Sequence, residues 1–349
     1  MSMAGYARQN RLRVGGGVAL VALVVLLTLL LDLPVDDLLT IGFVERSFQA
    51  AAPIALAAIG GLYAEKSGVF NIGLEGFMIF GAVNAAAVMS IVGGSSPGQI
   101  DLWIAIFGSA LTTLVYAIPF AVLMIRYKAD QIVAGLAVWF LGLGFGPFTA
   151  VIIWGSTNSP GLTSVDDLTV PVLSDIPVLG PILFDSSPLV LLTLILAVAA
   201  WAVLFHTRYG YWLQAAGENP EALDTAGVSV NRVRYAAVIF SGVMAGLGGA
   251  VLLAQAGSFT GTGQTMVGGR GWIGIVAYLF GNYNPIGAAA AALLFGGLDM
   301  LQIQFQTAGI EVPNRLVNLF PYAGVILVLT IWGTTRTPSA VGEPYESEE

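Results

Sequence analysis

The chain contains no cysteine and a single histidine, His206. Disulfides, thiolate metal sites and cysteine nucleophiles are therefore excluded, and the redox compartment is left undetermined. One imidazole also argues against a histidine-built metal site or a Ser-His-Asp triad. Charge is scarce as well. Only 10% of the 349 residues are Asp, Glu, Lys or Arg, against about 25% in a soluble domain. At about 150 residues per domain the length would suggest two soluble domains, but so few charges cannot clothe them. A soluble enzyme, a nucleic-acid-binding domain and a disordered chain are disfavoured together. Lysine is nearly missing, with Lys66 and Lys128 against eleven arginines, and the net charge is −8. Acidic, lysine-poor surfaces suit high salt, which points to a halophilic prokaryote. A GC-rich genome would favour Arg over Lys too.

What the chain has is apolar length. Hydrophobic residues make up 56% and the mean hydropathy is +0.83. The solvent is then largely lipid, where long uncharged helices are required. The expected fold is an all-α polytopic membrane protein. Uncharged runs cover Val14–Leu31, Ser47–Ala64, Gly76–Ile100, Leu102–Ile125, Gln131–Val165, Ser186–His206, Tyr235–Gly269, Gly271–Leu298 and Leu316–Thr335. Gln131–Val165 reads as a helix to about Ile153 and then a loop. GNYNP at Gly281–Pro285 divides Gly271–Leu298 into a short helix and a longer one. The total is about ten spans. The first reads as a retained helix, because no small-residue cleavage pattern follows it.

Positive charge belongs on the cytoplasmic side. With the N-terminus inside, ten cations fall inside: Arg8, Arg11, Arg13, Lys66, Arg126, Lys128, Arg208, Arg232, Arg234 and Arg336. Three do not: Arg46, Arg270 and Arg315. Segment 154–187 carries Asp166, Asp167, Asp175 and Asp185 without a cation and reads as an external loop. A re-entrant eighth span would move the C-terminus outside.

Two glycine patterns suggest nucleotides and fail. GGLYAEKS at Gly60–Ser67 puts Glu65 where a P-loop needs its second glycine, and an acid there repels phosphate. GRGWIG at Gly269–Gly274 satisfies GxGxxG but lacks a preceding strand. No catalytic residue, metal site or cofactor is expected.

The informative polar segment is 207–234. Asn219 can cap a helix, Pro220 suits its first position and Gly227 its left-handed stop. About two turns result, Pro220–Ala226, with Ala222, Leu223 and Ala226 as an apolar strip and Glu221 favouring the dipole. Such a short helix needs a surface to dock against, unless it is merely a solvated or interfacial turn.

Glu221-Ala222-Leu223, followed after three residues by Gly227, resembles the EAA cytoplasmic loop of ABC importer permeases. SGVFNIGLEGFMIFGA at Ser67–Ala82 is similar to the third-helix hallmark of ribose and branched-chain amino-acid type permeases. With GENPEALDTAGVSVNRVRY and GGRGWIGIVAYLFGNYNPIGA, the text most resembles the nucleoside and simple-sugar branch. The resemblance runs from about Ala51 to Trp332. It implies a non-catalytic permease bundle in the cell membrane, working by alternating access on a small-molecule substrate. It further implies an ABC ATPase subunit, a second permease (paralogue or identical copy) and an external substrate-binding lipoprotein. Membrane lipid is a partner, nucleic acid is not. Residues Glu218, Asn219, Pro220, Glu221, Ala222, Leu223, Ala226 and Gly227 would then couple to the ATPase. The implied organisation is a cytoplasmic segment 1–13, a permease domain 14–335 with coupling loop 207–234, and an acidic tail 336–349.

Pathway candidates are the polar residues inside spans. Asn71 and Glu75, four apart, fall on one helix face about 40° apart, with Asn84 opposite. A carboxylate in the core costs about 2.5–3.5 kcal/mol, so Glu75 should line a cavity or meet a partner such as Lys66 or a backbone amide, unless it lies near enough to the cytoplasm to snorkel or cap locally. Asp299 with Gln302 poses the same choice. An ion-coupled secondary transporter would use Glu75 or Asp299 as its ion site, but leaves the capped helix unexplained. GxxxG at Gly242–Gly246 and Gly142–Gly146 suits close helix packing. Trp103, Trp139, Trp154, Trp201, Trp272 and Trp332 suit interfacial anchoring, and one could stack on a nucleobase.

Overall fold

A computed structural model of the chain describes residues 40–94, 96–307 and 337–346. The runs Val14–Leu31 and Leu316–Thr335 lie outside the described residues. Helices follow in the order α1 (Ile41–Lys66), α2 (Leu74–Gly93), α3 (Gln99–Ile125), α4 (Gln131–Trp154), α5 (Pro188–His206), α6 (Arg208–Glu218), α7 (Pro220–Thr225), α8 (Val230–Ala256), α9 (Arg270–Phe280) and α10 (Pro285–Thr307). Two-residue strands at Leu168–Thr169 and Asp185–Ser186 pair antiparallel within the α4–α5 loop. Seven of the helices are long and apolar enough to cross a membrane, and α9 is the short eighth. With the two runs outside the described residues, the tally agrees with about ten spans.

Hydrogen bonds sort the turns into two ends. At one end Gln99 Nε2 donates to Ser164 O (2.8 Å), and Leu162 N donates to Gly257 O (2.6 Å). The α2–α3 turn, the α4–α5 loop and the close of α8 therefore gather there. At the other end Arg234 Nε donates to Ser67 O (3.1 Å), and Ala340 N to Gly217 O (2.9 Å). The turn after α1, the polar segment 207–234 and the tail gather at this second end. Tyr278 and Tyr283 meet Glu65 there too. The eighth run thus does cross, first as the Gly/Thr-rich stretch after Ala256 and then as α9. At 1.5 Å per residue, eleven residues span about 16 Å, half of a ~30 Å core. The tail accordingly lies on the same end as segment 207–234.

Helices α1, α8 and α2 form the centre, with 83%, 72% and 61% of their most apolar windows buried; α4, at 17%, is peripheral. Small residues make this centre possible. A Cβ on Gly81 would lie 1.8 Å from Gly246 O, and one on Gly249 would lie 1.9 Å from Met78 O. The backbones of α2 and α8 touch, so dispersion contacts replace the hydrophobic drive that lipid does not supply. Gly142 likewise meets the Gly76 backbone across α4 and α2. Two local differences from the sequence reading stand out. Asn71 is not on a helix: its Oδ1 accepts from Gly73 N (2.9 Å), an Asx turn that leads into α2 at Leu74, so the helical face shared with Glu75 does not exist. Helix α6 was not foreseen within 207–234.

Gly81→Val should lower the melting temperature of the detergent-purified chain, with overpacking costing about 1–3 kcal/mol. Gly144→Ala, where a Cβ meets nothing within 4 Å, should leave it unchanged.

Candidate functional site

The turn into α2 and the start of α9 meet within the bundle. Glu75, in the first turn of α2 and 2% exposed, accepts from Gly269 N through Oε1 (2.8 Å) and from Gly271 N through Oε2 (2.7 Å). A helix start leaves backbone N–H groups unpaired, and lipid offers them no water. A carboxylate satisfies two of them and meets the positive end of the dipole. Gly269 holds φ +90° at this junction, and a Cβ on Gly271 would lie 2.4 Å from Glu75 N. The GxGxxG pattern therefore does bind an anion: the chain's own. Lys66 is not Glu75's partner; its Nζ lies 5.2 Å from the Tyr283 ring centroid.

Beside this cap a cavity of about 300 Å³ is lined by Glu75, Trp139, Gln264, Gly269, Trp272, Ile273 and Val276. Trp139 of α4 and Trp272 of α9 meet edge to face, with centroids 5.4 Å apart. Those two indoles thus border a pocket rather than serving as anchors alone. Two polar side chains and two indoles are the lining expected for a small polar molecule with a flat apolar face. Glu75 is at once a structural cap and a wall of the cavity.

The other candidates scatter. Asp299 pairs with Arg270, Oδ2 to Nη2 at 3.2 Å, fixing α10 to the start of α9. Gln302 lies half-buried on α10. Asn84, nine residues and about 14 Å along α2 from Glu75, does not reach it, and its Nδ2 is buried without a hydrogen-bond partner among the described residues. Asn71 Nδ2 donates to Ser241 Oγ (2.9 Å) and joins the α2 turn to α8. At the far end of α9, Glu65 accepts from Tyr278 (2.5 Å) and Tyr283 (2.6 Å). In the sequence Glu65 figures only as the acid that breaks a P-loop pattern; an acid closing an apolar run is the signal that points to this buried site.

The second region is α7. Asn219 Oδ1 accepts from Ala222 N (3.0 Å), Pro220 opens the helix, and Gly227 adopts φ +81°. Both marked ends are as expected. The apolar strip is split, however. Leu223, 5% exposed, packs inward with Ala216 and Val230, while Ala222, Ala226 and Glu221 face outward. Glu218 accepts from Ser339 Oγ (3.2 Å). Helix α6, capped by Thr207, forms the platform behind α7.

Comparison with known proteins finds the family model described as branched-chain amino acid transport system / permease component, matching residues 43–329. The guanosine ABC transporter permease protein NupQ of Bacillus subtilis is 36% identical over 308 residues, 86% of this chain and 95% of that protein. The nucleoside ABC transporter permease protein NupC of Lactococcus lactis is 35% identical over 300 residues, 84% and 93% respectively. The putative glucose ABC transporter permease protein TsgC13 of Haloferax volcanii is 31% identical over 337 residues, 88% and 98%. No solved structure matches.

Asp299→Leu should destabilise the chain by about 1–3 kcal/mol, because it leaves Arg270 Nη2 without its acceptor while Nη1 keeps the carbonyls of Met266 and Val267. Thermal melts of Asp299→Leu and of the Arg270→Met/Asp299→Leu double variant check this. The double variant should recover much of the loss.

Proposed function

Because this chain belongs to the family of branched-chain amino acid transport system permease components, we propose that it is the membrane-spanning subunit of an ATP-driven nucleoside importer. It is a multi-pass membrane protein and a non-catalytic translocation component. The family implies an ATPase subunit and a substrate-binding partner. The observation that carries the substrate is the cavity at the α9 start, taken with relatives whose names specify guanosine and nucleosides. Trp139 and Trp272 offer aromatic surface to a base, and Gln264 offers both a donor and an acceptor to base or ribose. Sugar is the second reading, favoured by the glucose permease among the relatives.

The end bearing Lys66, Arg126, Lys128, Arg208, Arg232 and Arg234 faces the cytoplasm of the cell membrane, by charge bias. There α7 presents Glu221, Ala222 and Ala226 to the ATPase, while Leu223 fastens it to α6 and α8. A second permease subunit, identical or paralogous, completes the pathway, and an external binding lipoprotein delivers the substrate. ATP binding shifts α7, and the pathway opens to one side and then the other. An ion-coupled mechanism has little to use, since Glu75 already holds two amides and Asp299 an arginine. The composition and the haloarchaeal relative support a halophilic source.

The test is ATP-driven uptake of labelled guanosine and, separately, labelled glucose by the reconstituted complex. Guanosine uptake is expected, reduced roughly tenfold by Trp272→Ala through loss of about 1–2 kcal/mol of contact. Gly227→Val forces a β-branched residue into positive φ. It should abolish uptake or ATPase co-purification, while Ser229→Ala does neither. Glucose uptake without guanosine uptake would shift the substrate to sugars. Intact uptake with Gly227→Val would remove α7 from coupling.

A further inference from the structure

Residues 337–346 lie beyond the stretch 43–329 that the family model matches, yet they are built into the coupling end. Ala340 N donates to Gly217 O (2.9 Å), and Gly342 N donates to Gly68 O (3.1 Å). Tyr345 donates its hydroxyl to Asp224 of α7 (2.7 Å) and packs on Ala216, Leu223 and Val230. Glu346 pairs with Lys128 of the α3–α4 turn, which holds its carboxyl below the ordinary value. Between these ties the segment arches over a cavity of about 460 Å³ that reaches Phe70, Lys128 and Arg234.

At the centre is Arg234, 3% exposed at the start of α8. Its guanidinium donates to Ser67 O (3.1 Å), Ala216 O (3.4 Å) and Glu343 O (3.0 Å). These carbonyls belong to three different segments: the turn into α2, helix α6 and the tail. The backbones converge so closely that side chains are excluded. A Cβ on Gly217 would lie 2.3 Å from Lys66 O, and one on Gly68, at φ +92°, 2.8 Å from Arg234 Nη2 and 3.2 Å from Ala340 O. A buried guanidinium that donates to three carbonyls is expensive to take apart, so the three segments stay together. The turn so gripped, Ser67–Gly73, is the one that leads to Glu75 and the cap of α9.

We propose that residues 337–346 are a transmission strap, binding α7 to the turn before α2 so that movement of α7 reaches Glu75 and the cavity wall. This rests on α7 being the ATPase-coupling helix. Arg234 is a positioning residue in this scheme and touches no substrate. The α6 end of the platform already touches that turn through Gly217 and Arg234; the strap adds a tie from α7 itself, running from Asp224 through Tyr345 to Gly342 and Gly68.

The test uses the full complex with its ATPase and binding protein in liposomes, fed ATP and labelled guanosine. Removing residues 339–349 should leave the ATPase bound and hydrolysing. The ATP consumed per guanosine imported should rise roughly tenfold, within the usual range of coupling effects. Tyr345→Ala, which keeps the chain length, should raise it in the same direction by less. It also serves if the truncated chain fails to reach the membrane. An unchanged ratio in Tyr345→Ala and in any recovered truncation overturns the strap. If Gly227→Val uncouples while both tail variants do not, the strap alone fails. If Gly227→Val is also harmless, the coupling reading on which the strap rests fails with it.

Discussion

Two backbone amides at the head of a half-length helix, accepted by one carboxylate, hold the working part of this molecule in place. A helix that begins inside the bundle leaves N–H groups where lipid and packed side chains offer no water. Glu75 meets those of Gly269 and Gly271. In doing so it fixes the depth at which α9 starts and the direction in which Trp272 points. Arg270, between the two capped glycines, is then placed to reach Asp299 on α10, and Tyr278 at the other end to reach Glu65 on α1. One buried acid therefore organises three contacts across four helices.

That arrangement stands on a centre that cannot give way. Glycines at 81 and 249 bring α2 and α8 into backbone contact, where a side chain would separate them, and one at 246 would meet Thr113 of α3. Around this centre the ties include a cap, an ion pair, a carboxylate with two tyrosines, and an arginine gathering carbonyls. Polar ties in a low-dielectric interior are directional and break singly, whereas interdigitated backbones move together.

Much of this was legible in the chain itself. Uncharged runs and GNYNP gave the long helices and the short α9, since lipid imposes a length and a composition on every span. Asn219, Pro220 and Gly227 marked α7 because capping is local chemistry. Long-range partners were not legible. Glu75 looked like a neighbour of Asn71 because helical spacing was assumed across a turn that an Asx bond had opened. Nothing local links Trp139 to Trp272, or Glu65 to tyrosines more than two hundred residues away. The tail carries no periodicity at all, and its place in the fold is set only by what it touches.

The central claim is that Glu75 acts by holding the amides at the α9 start. Hydrogen–deuterium exchange on the purified full chain reads those amides directly. Glutamine at position 75 offers one acceptor and turns an NH₂ group toward the second N–H, donor against donor. Faster exchange across 269–274 in Glu75→Gln, with α1 and the middle of α2 as protected as before, is the predicted result. Equal protection of 269–274 in both proteins would contradict the account.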